Sequence, residues 1–442
     1  MNKHFSDYLP PALVRDFRRS IRTPWYPIML GLCMVLFVWQ LYSSHTGESV
    51  MNGGSIVDKT SSTFTMLALM GALMWVIIPV RACGSVSADA RVKGTNFMML
   101  TPLTSRQLVW GIWISACVQE IVVAGIALLI HWGYATIAGI PGDAENPIWL
   151  NYSILLCGGI LMCTAFLFAA QLSKLIRTLL VLFTILSLIN LVIFLLESGL
   201  LFRGGLIALC RDALSGTGLY LFLADAVMVI LLLMEFARRS YAAPAENCSR
   251  SVRVLILLSL VSVPLIYRCC AEYVSVQLSF VTYYSLFACM SDALLPTYSL
   301  KGHDRRAWPF LPAYLQVPGI GQSAFFLLPV AAVLCWLNCA YLDGVNREDE
   351  IYWWLQLVYM LLTLLLITDL TCRRTNENRP AWAFLIFIVG AILSSLLPLS
   401  PGVLAALPFN TLRGELSSEL FPITAGALAL VLCLLMFWRG RR

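Results

Sequence analysis

Apolar positions along this chain gather into long runs separated by short polar and charged stretches. Runs long enough to cross a bilayer cover 25–43, 62–80, 108–138, 149–171, 177–196, 217–236, 252–267, 274–294, 320–342, 352–370, 381–398 and 421–438. A membrane helix needs about 20 mainly apolar residues to cross roughly 30 Å of hydrocarbon, and most of these runs come close to that. The pattern predicts an all-α polytopic membrane protein with about 12 transmembrane helices in two six-helix halves. The first 24 residues carry too many charges for a cleavable signal peptide, and the first apolar run has no small-residue cleavage site.

Composition agrees. Apolar residues make up 59% of the 442, and Asp, Glu, Lys and Arg only 12%. Soluble chains carry about twice that charge, and mean hydropathy here is +0.80. A soluble enzyme and a disordered chain are both excluded.

The formal net charge of +6 raises nucleic acid as a partner. The placement of the charges argues against it. With the N-terminus in the cytoplasm, 24 of the 30 Lys and Arg fall on inner segments. The outer ones are Lys59, Arg203, Arg211, Arg268, Arg347 and Arg413. One missed span would swap every later side, so this bias supports twelve spans with both termini cytoplasmic. The basic residues read as topology signals, and no nucleic acid is expected.

Loop lengths recur six spans apart. Inner loop 81–107 resembles 295–319 in length, and outer loop 197–216 resembles 399–420. Six spans preserve orientation, so the halves form a parallel repeat. The organisation is therefore 1–24 as a cytosolic segment, 25–239 as a first half, 240–251 as a polar linker and 252–442 as a second half.

Two inner segments stand out. After Pro10 and Pro11, Leu13, Val14, Phe17 and Ile21 share one helical face. Arg15, Arg18, Arg19 and Arg22 share the opposite face, the pattern of an interfacial amphipathic helix or of a plain orientation signal. Loop 81–107 is too long for a turn between adjacent spans. It holds Asp89, Arg91 and Lys93, then Gly94-Thr95, an apolar run from Phe97 to Leu100, and a break at Thr101-Pro102-Leu103. Thr104 or Ser105 can cap a helix beginning at Arg106.

The run KGTNFMMLTPLTSRQLVWG resembles the signature loop of ABC-2 type permeases, the membrane subunits of ATP-binding-cassette transporters. The matching residues are Gly94, Thr95, Leu100, Pro102, Leu103, Thr104 and Arg106. Asp89 stands about one position from the acidic residue usual in the family, and Ile112 replaces a common Lys. The resemblance covers residues 1 to about 240. It implies that Asp89, Arg91, Lys93, Gly94, Thr95, Pro102, Leu103, Thr104 and Arg106 form a coupling loop that docks on a separate ATPase subunit. It also implies that the N-terminal helix is an elbow and that 197–216 is a re-entrant segment. The expected function is then an exporter's permease subunit in the plasma membrane of a bacterium, pairing with itself or with another permease chain. The chain has no GxxxxGK[ST] phosphate loop, so it is expected to have no ATPase site of its own and no cofactor.

Five acidic residues lie within spans: Glu120, Asp225, Glu235, Asp292 and Asp369. Intramembrane acids are costly and mark functional positions by default. Glu235, Asp292 and Asp369 lie near span ends, where interfacial water is expected to solvate them. Glu120 lies twelve residues into the third span, about 18 Å from its start. With Gln119, and with Asp225 eight residues into the sixth span, it forms the candidate substrate pathway. Glu120 either lines a cavity or hydrogen-bonds a neighbouring helix. Gly158-Gly159 allows close helix packing.

Most of the 14 cysteines sit in apolar runs as small hydrophobes, and the four histidines are scattered, so no metal site is expected. Cys269 and Cys270, near the outer face, leave room for a disulfide. Two other readings remain open: an ion-coupled secondary transporter of the 12-helix type, and a membrane scaffold without transport.

Overall fold

The computed structural model describes residues 70, 71, 73–82, 104–137, 148–169, 217–239, 248–294, 320–341 and 347–371, with single positions at 28, 31, 34, 35, 38, 383 and 431. Among the described residues every regular element is helical. A π turn, Leu73–Ile77, comes first. The α-helices are α1 (Ser105–Ile137), α2 (Ile148–Ala169), α3 (Thr217–Arg238) and α4 (Cys248–Cys269), then α5 (Val274–Leu294), α6 (Ile320–Tyr341) and α7 (Arg347–Thr371).

Among the described residues, six helical stretches are long and apolar enough to cross a membrane: Ser105–Ile130, Tyr220–Arg238, Cys248–Cys269, Ala271–Leu294, Gln322–Tyr341 and Trp353–Leu370. The apolar stretches Leu73–Ala82 and Leu155–Ala169 are shorter. The protein is a multi-pass helical membrane protein. The predicted spans 177–196, and nearly all of 25–43, 381–398 and 421–438, lie outside the described residues, as do segments 1–24 and 240–247.

Local chemistry sets the helix ends. Thr104 caps α1: its Oγ1 accepts from Gln107 N at 3.3 Å, and Gln107 Oε1 accepts from Thr104 N at 3.0 Å. This reciprocal pair satisfies two donors that the first turn would otherwise leave open. It starts the helix at Ser105, one residue before the expected Arg106. At the end of α3, Arg238 favours the negative end of the helix dipole and pairs with Glu235 at 3.0 Å.

The chain divides into two compact units, Met1–Ala226 and Val227–Arg442, with the boundary inside α3. In the first, α1 packs along α2, and α2 packs on the π turn. In the second, α5 packs against both α4 and α6, and α6 against α7. A 3-10 turn, Ala271–Tyr273, closes the α4–α5 hairpin, helped by Cys270 N donating to Ile266 O at 2.7 Å. Cys269 and Cys270 at this turn are free thiols, so the disulfide does not form.

The α4 sequence shows why one face turns inward. Val252, Ile256, Leu260 and Val263 recur at helical spacing and are buried, while Leu257, Leu258, Val261 and Leu265 are exposed on the other side. The exposed face is apolar because lipid, not water, meets it. Polar bonds join the buried faces: Ser259 Oγ lies 3.3 Å from Ser285 Oγ, and Gln277 Nε2 donates to Ser262 Oγ at 3.4 Å. Tyr284 Oη donates to the Met228 carbonyl on α3 at 3.2 Å. In a bilayer such bonds hold helices together where apolar burial alone gives little preference.

Candidate functional site

In the first unit, the buried stripe of α1 runs Val109, Ile112, Ala116, Val123 and Ala127. Glu120 occupies the same stripe at helical spacing, so the fold places a carboxyl where an alanine or valine would be ordinary. It is 0% exposed. Its Oε1 accepts a bond from the Cys163 thiol on α2 at 3.5 Å, and Oε2 has no hydrogen-bond partner.

The facing surface is Gly158-Gly159. A Cβ on Gly159 would stand 2.7 Å from Glu120 Oε2, and one on Gly158 would stand 2.7 Å from the Trp75 ring. The two glycines form a notch gripped by Glu120 from α1 and by Trp75 from the π turn. Trp75 Nε1 also donates to the Leu155 carbonyl at 2.9 Å. A π turn widens the helix locally and often marks a functional position. Here it carries the tryptophan that clasps α2. Two turns earlier on α1, Trp113 Nε1 donates to Thr164 Oγ1 at 2.8 Å, a second bond between α1 and α2.

Gln119 neighbours Glu120 on α1 and is buried. Its Nε2 donates to the Ser115 carbonyl of its own helix at 3.1 Å. Asp225 stands half-buried on α3. Of the coupling-loop residues, Asp89, Arg91, Lys93, Gly94, Thr95, Pro102 and Leu103 lie outside the described residues. Thr104 is the α1 cap, and Arg106 is exposed on the first turn.

The second unit holds a charged centre that the sequence reading placed in interfacial water. Asp292, on the last turn of α5, is 2% exposed. Arg239, just beyond α3, donates through Nη2 to Asp292 Oδ1 and to Ser249 Oγ, the latter at 3.2 Å. Arg253 on α4 donates to Oδ2 through Nε at 3.3 Å and Nη2 at 3.1 Å. Ser323, on the first turn of α6, donates to the same oxygen at 2.8 Å. Phe236 lies under the Arg239 guanidinium at 5.2 Å, and Phe326 under that of Arg253 at 5.4 Å.

Four chain segments are thus tied to one carboxylate. Solvation of Asp292 is corrected: it is buried and ion-paired. Arg239 and Arg253, which the sequence reads as topology signals, are both buried beside it. Glu235 is also mostly buried, beside Arg238, while Asp369 is half-buried. Ser249 and Arg253 explain why α4 begins at Cys248, inside the stretch read as linker: the first turn must reach the carboxylate. The signal lay in the expected topology, in which Arg239, Arg253 and Asp292 fall at the inner ends of three consecutive spans.

Among the described residues, no group of three or more His, Cys, Asp or Glu is placed to hold a metal ion. Comparison of the whole chain with known protein families, with curated proteins and with solved structures finds no match.

Proposed function

We propose that this chain is the transmembrane permease subunit of an ATP-driven exporter, coupled through loop 81–107 to a separate ATPase chain. It spans the inner membrane of a bacterium twelve times, with both termini in the cytoplasm. The observation that carries the reading is the run from Gly94 to Arg106, with its resemblance to the ABC-2 coupling loop. The capping box at Thr104 supports it, because it makes the end of that run a sharp start of a long membrane helix. A docking element transmits force best when it is continuous with a rigid span. The inner-side bias of Lys and Arg supports the sidedness.

Gentle purification from the native host tests this directly. An ATP-binding-cassette subunit should accompany the chain, and the chain alone should hydrolyse no ATP. Reversing Arg91 and Lys93 to Glu should weaken that association, since surface charge sets encounter and register. If no ATPase accompanies the chain and transport follows an ion gradient, the secondary-transporter reading replaces this one.

Sidedness has its own reporter. A membrane-impermeant thiol reagent applied to intact cells should label Cys269, which is exposed at the α4–α5 turn. Protection of Cys269 outside, with labelling only after lysis, would invert the topology. Cys248 is too buried to serve, at 5% exposed.

A further inference from the structure

Glu120 is fully buried, yet its two oxygens have unequal surroundings. Oε1 has the Cys163 thiol, while Oε2 has no partner and lies against Gly159. Beyond Arg106 at its start, α1 contains no Lys or Arg, and α2 contains none. Arg106 is about 21 Å away along the helix axis. Among the described residues, the titratable groups beside Glu120 are the thiols of Cys117 on α1 and Cys163 on α2, and neither balances a negative charge. Trp75, which meets α2 at the neighbouring Gly158, does not titrate. A carboxylate stripped of water with no cation beside it is strongly disfavoured. The closed notch therefore fits the neutral acid and rejects the ion.

We propose that Glu120 is a proton-binding site, and that release of its proton opens the α1–α2 contact at Gly158-Gly159 to water. The O–H bond breaks, the proton passes to water, and the electron pair stays on the carboxylate, which then needs hydration that the closed notch does not provide. Binding and packing are one linked equilibrium. Each opening releases one proton, so the open fraction grows by about tenfold per pH unit once release is favourable. The glycines make this inexpensive to reverse: with no side chain at 159, the neutral carboxyl returns to the helix backbone. The site goes beyond the ATPase reading and stands whether or not a partner ATPase exists.

The test uses the full chain in lipid nanodiscs, without a partner. Infrared spectra at neutral pH should contain the C=O stretch of a neutral, dehydrated carboxylic acid. That band should vanish in Glu120→Gln and bleach in the parent as the pH rises. Hydrogen exchange of α2 amides around Gly158-Gly159 should speed up over the same pH range, by about tenfold per pH unit relative to Glu120→Gln. Should Glu120→Gln fail to fold, Glu120→Asp supplies the comparison, and the band must then shift in frequency. No band that responds to either substitution, or bleaching without faster exchange at the notch, would overturn the proposal.

Discussion

The two units each bury an acid, and they treat it in opposite ways. Asp292 is surrounded: two guanidiniums and a serine hydroxyl converge on its carboxylate, from the end of α3 and the starts of α4 and α6. Glu120 has one weak thiol donor and an unpartnered oxygen. A buried charge with matched partners is a fastener, because removing any member leaves the others uncompensated. A buried acid without them is poised, because only its neutral form suits the site. The contrast separates a charge held by its partners from an acid left without them, without appeal to position in the chain.

The largest effect should follow from breaking the fastener. Asp292→Ala leaves Arg239 and Arg253 buried together, and should lower stability by about 3–5 kcal/mol. Thermal unfolding in detergent measures this. Replacing the trio by apolar residues of similar volume (Asp292→Leu, Arg239→Met, Arg253→Met) should recover most of the loss, as mutual neutralisation predicts. Failure of the triple variant to recover would show that the charges serve something beyond one another.

A middle effect is expected at the notch. Gly158→Ala drives a methyl into the Trp75 ring, which is wide and is held by its bond to the Leu155 carbonyl. Overpacking of this kind costs about 1–3 kcal/mol. Gly159→Ala meets the end of a flexible carboxyl instead, so Glu120 should swing aside at smaller cost. Equal melting temperatures for the two alanine variants would deny the asymmetry of the grip.

The sequence made the helices legible and their pairing much less so. The expected spans 217–236, 274–294 and 320–342 match α3, α5 and α6 to within two residues, because a bilayer imposes a length and an apolar composition that any reader can count. Glu120 was visible as a deep acid, and Gly158-Gly159 as a close-packing site. Their meeting was not, since it depends on which face of α1 turns to α2. The Thr104 cap was readable from its hydroxyl, yet its Gln107 partner completes the signal. Nearness to a span end does not bring water to Asp292, which is buried there. Three helices whose neighbouring ends carry one acid and two arginines close over them instead.

The measurement that bears most directly on the contrast is thermal stability as a function of pH for three proteins: the parent, Glu120→Gln and Asp292→Asn. The neutral Glu120 acid binds its proton in the packed state, so the parent should lose stability relative to Glu120→Gln as the pH rises, by up to about 1.4 kcal/mol per pH unit. Below that range the two should nearly coincide, since Gln still donates and accepts. Asp292→Asn should melt lower at every pH but keep the parent's loss of stability with rising pH. A Glu120→Gln protein that retains the full loss of stability with rising pH, or an Asp292→Asn protein that lacks it, would contradict the assignment of the poised acid to α1 and the fastened one to α5.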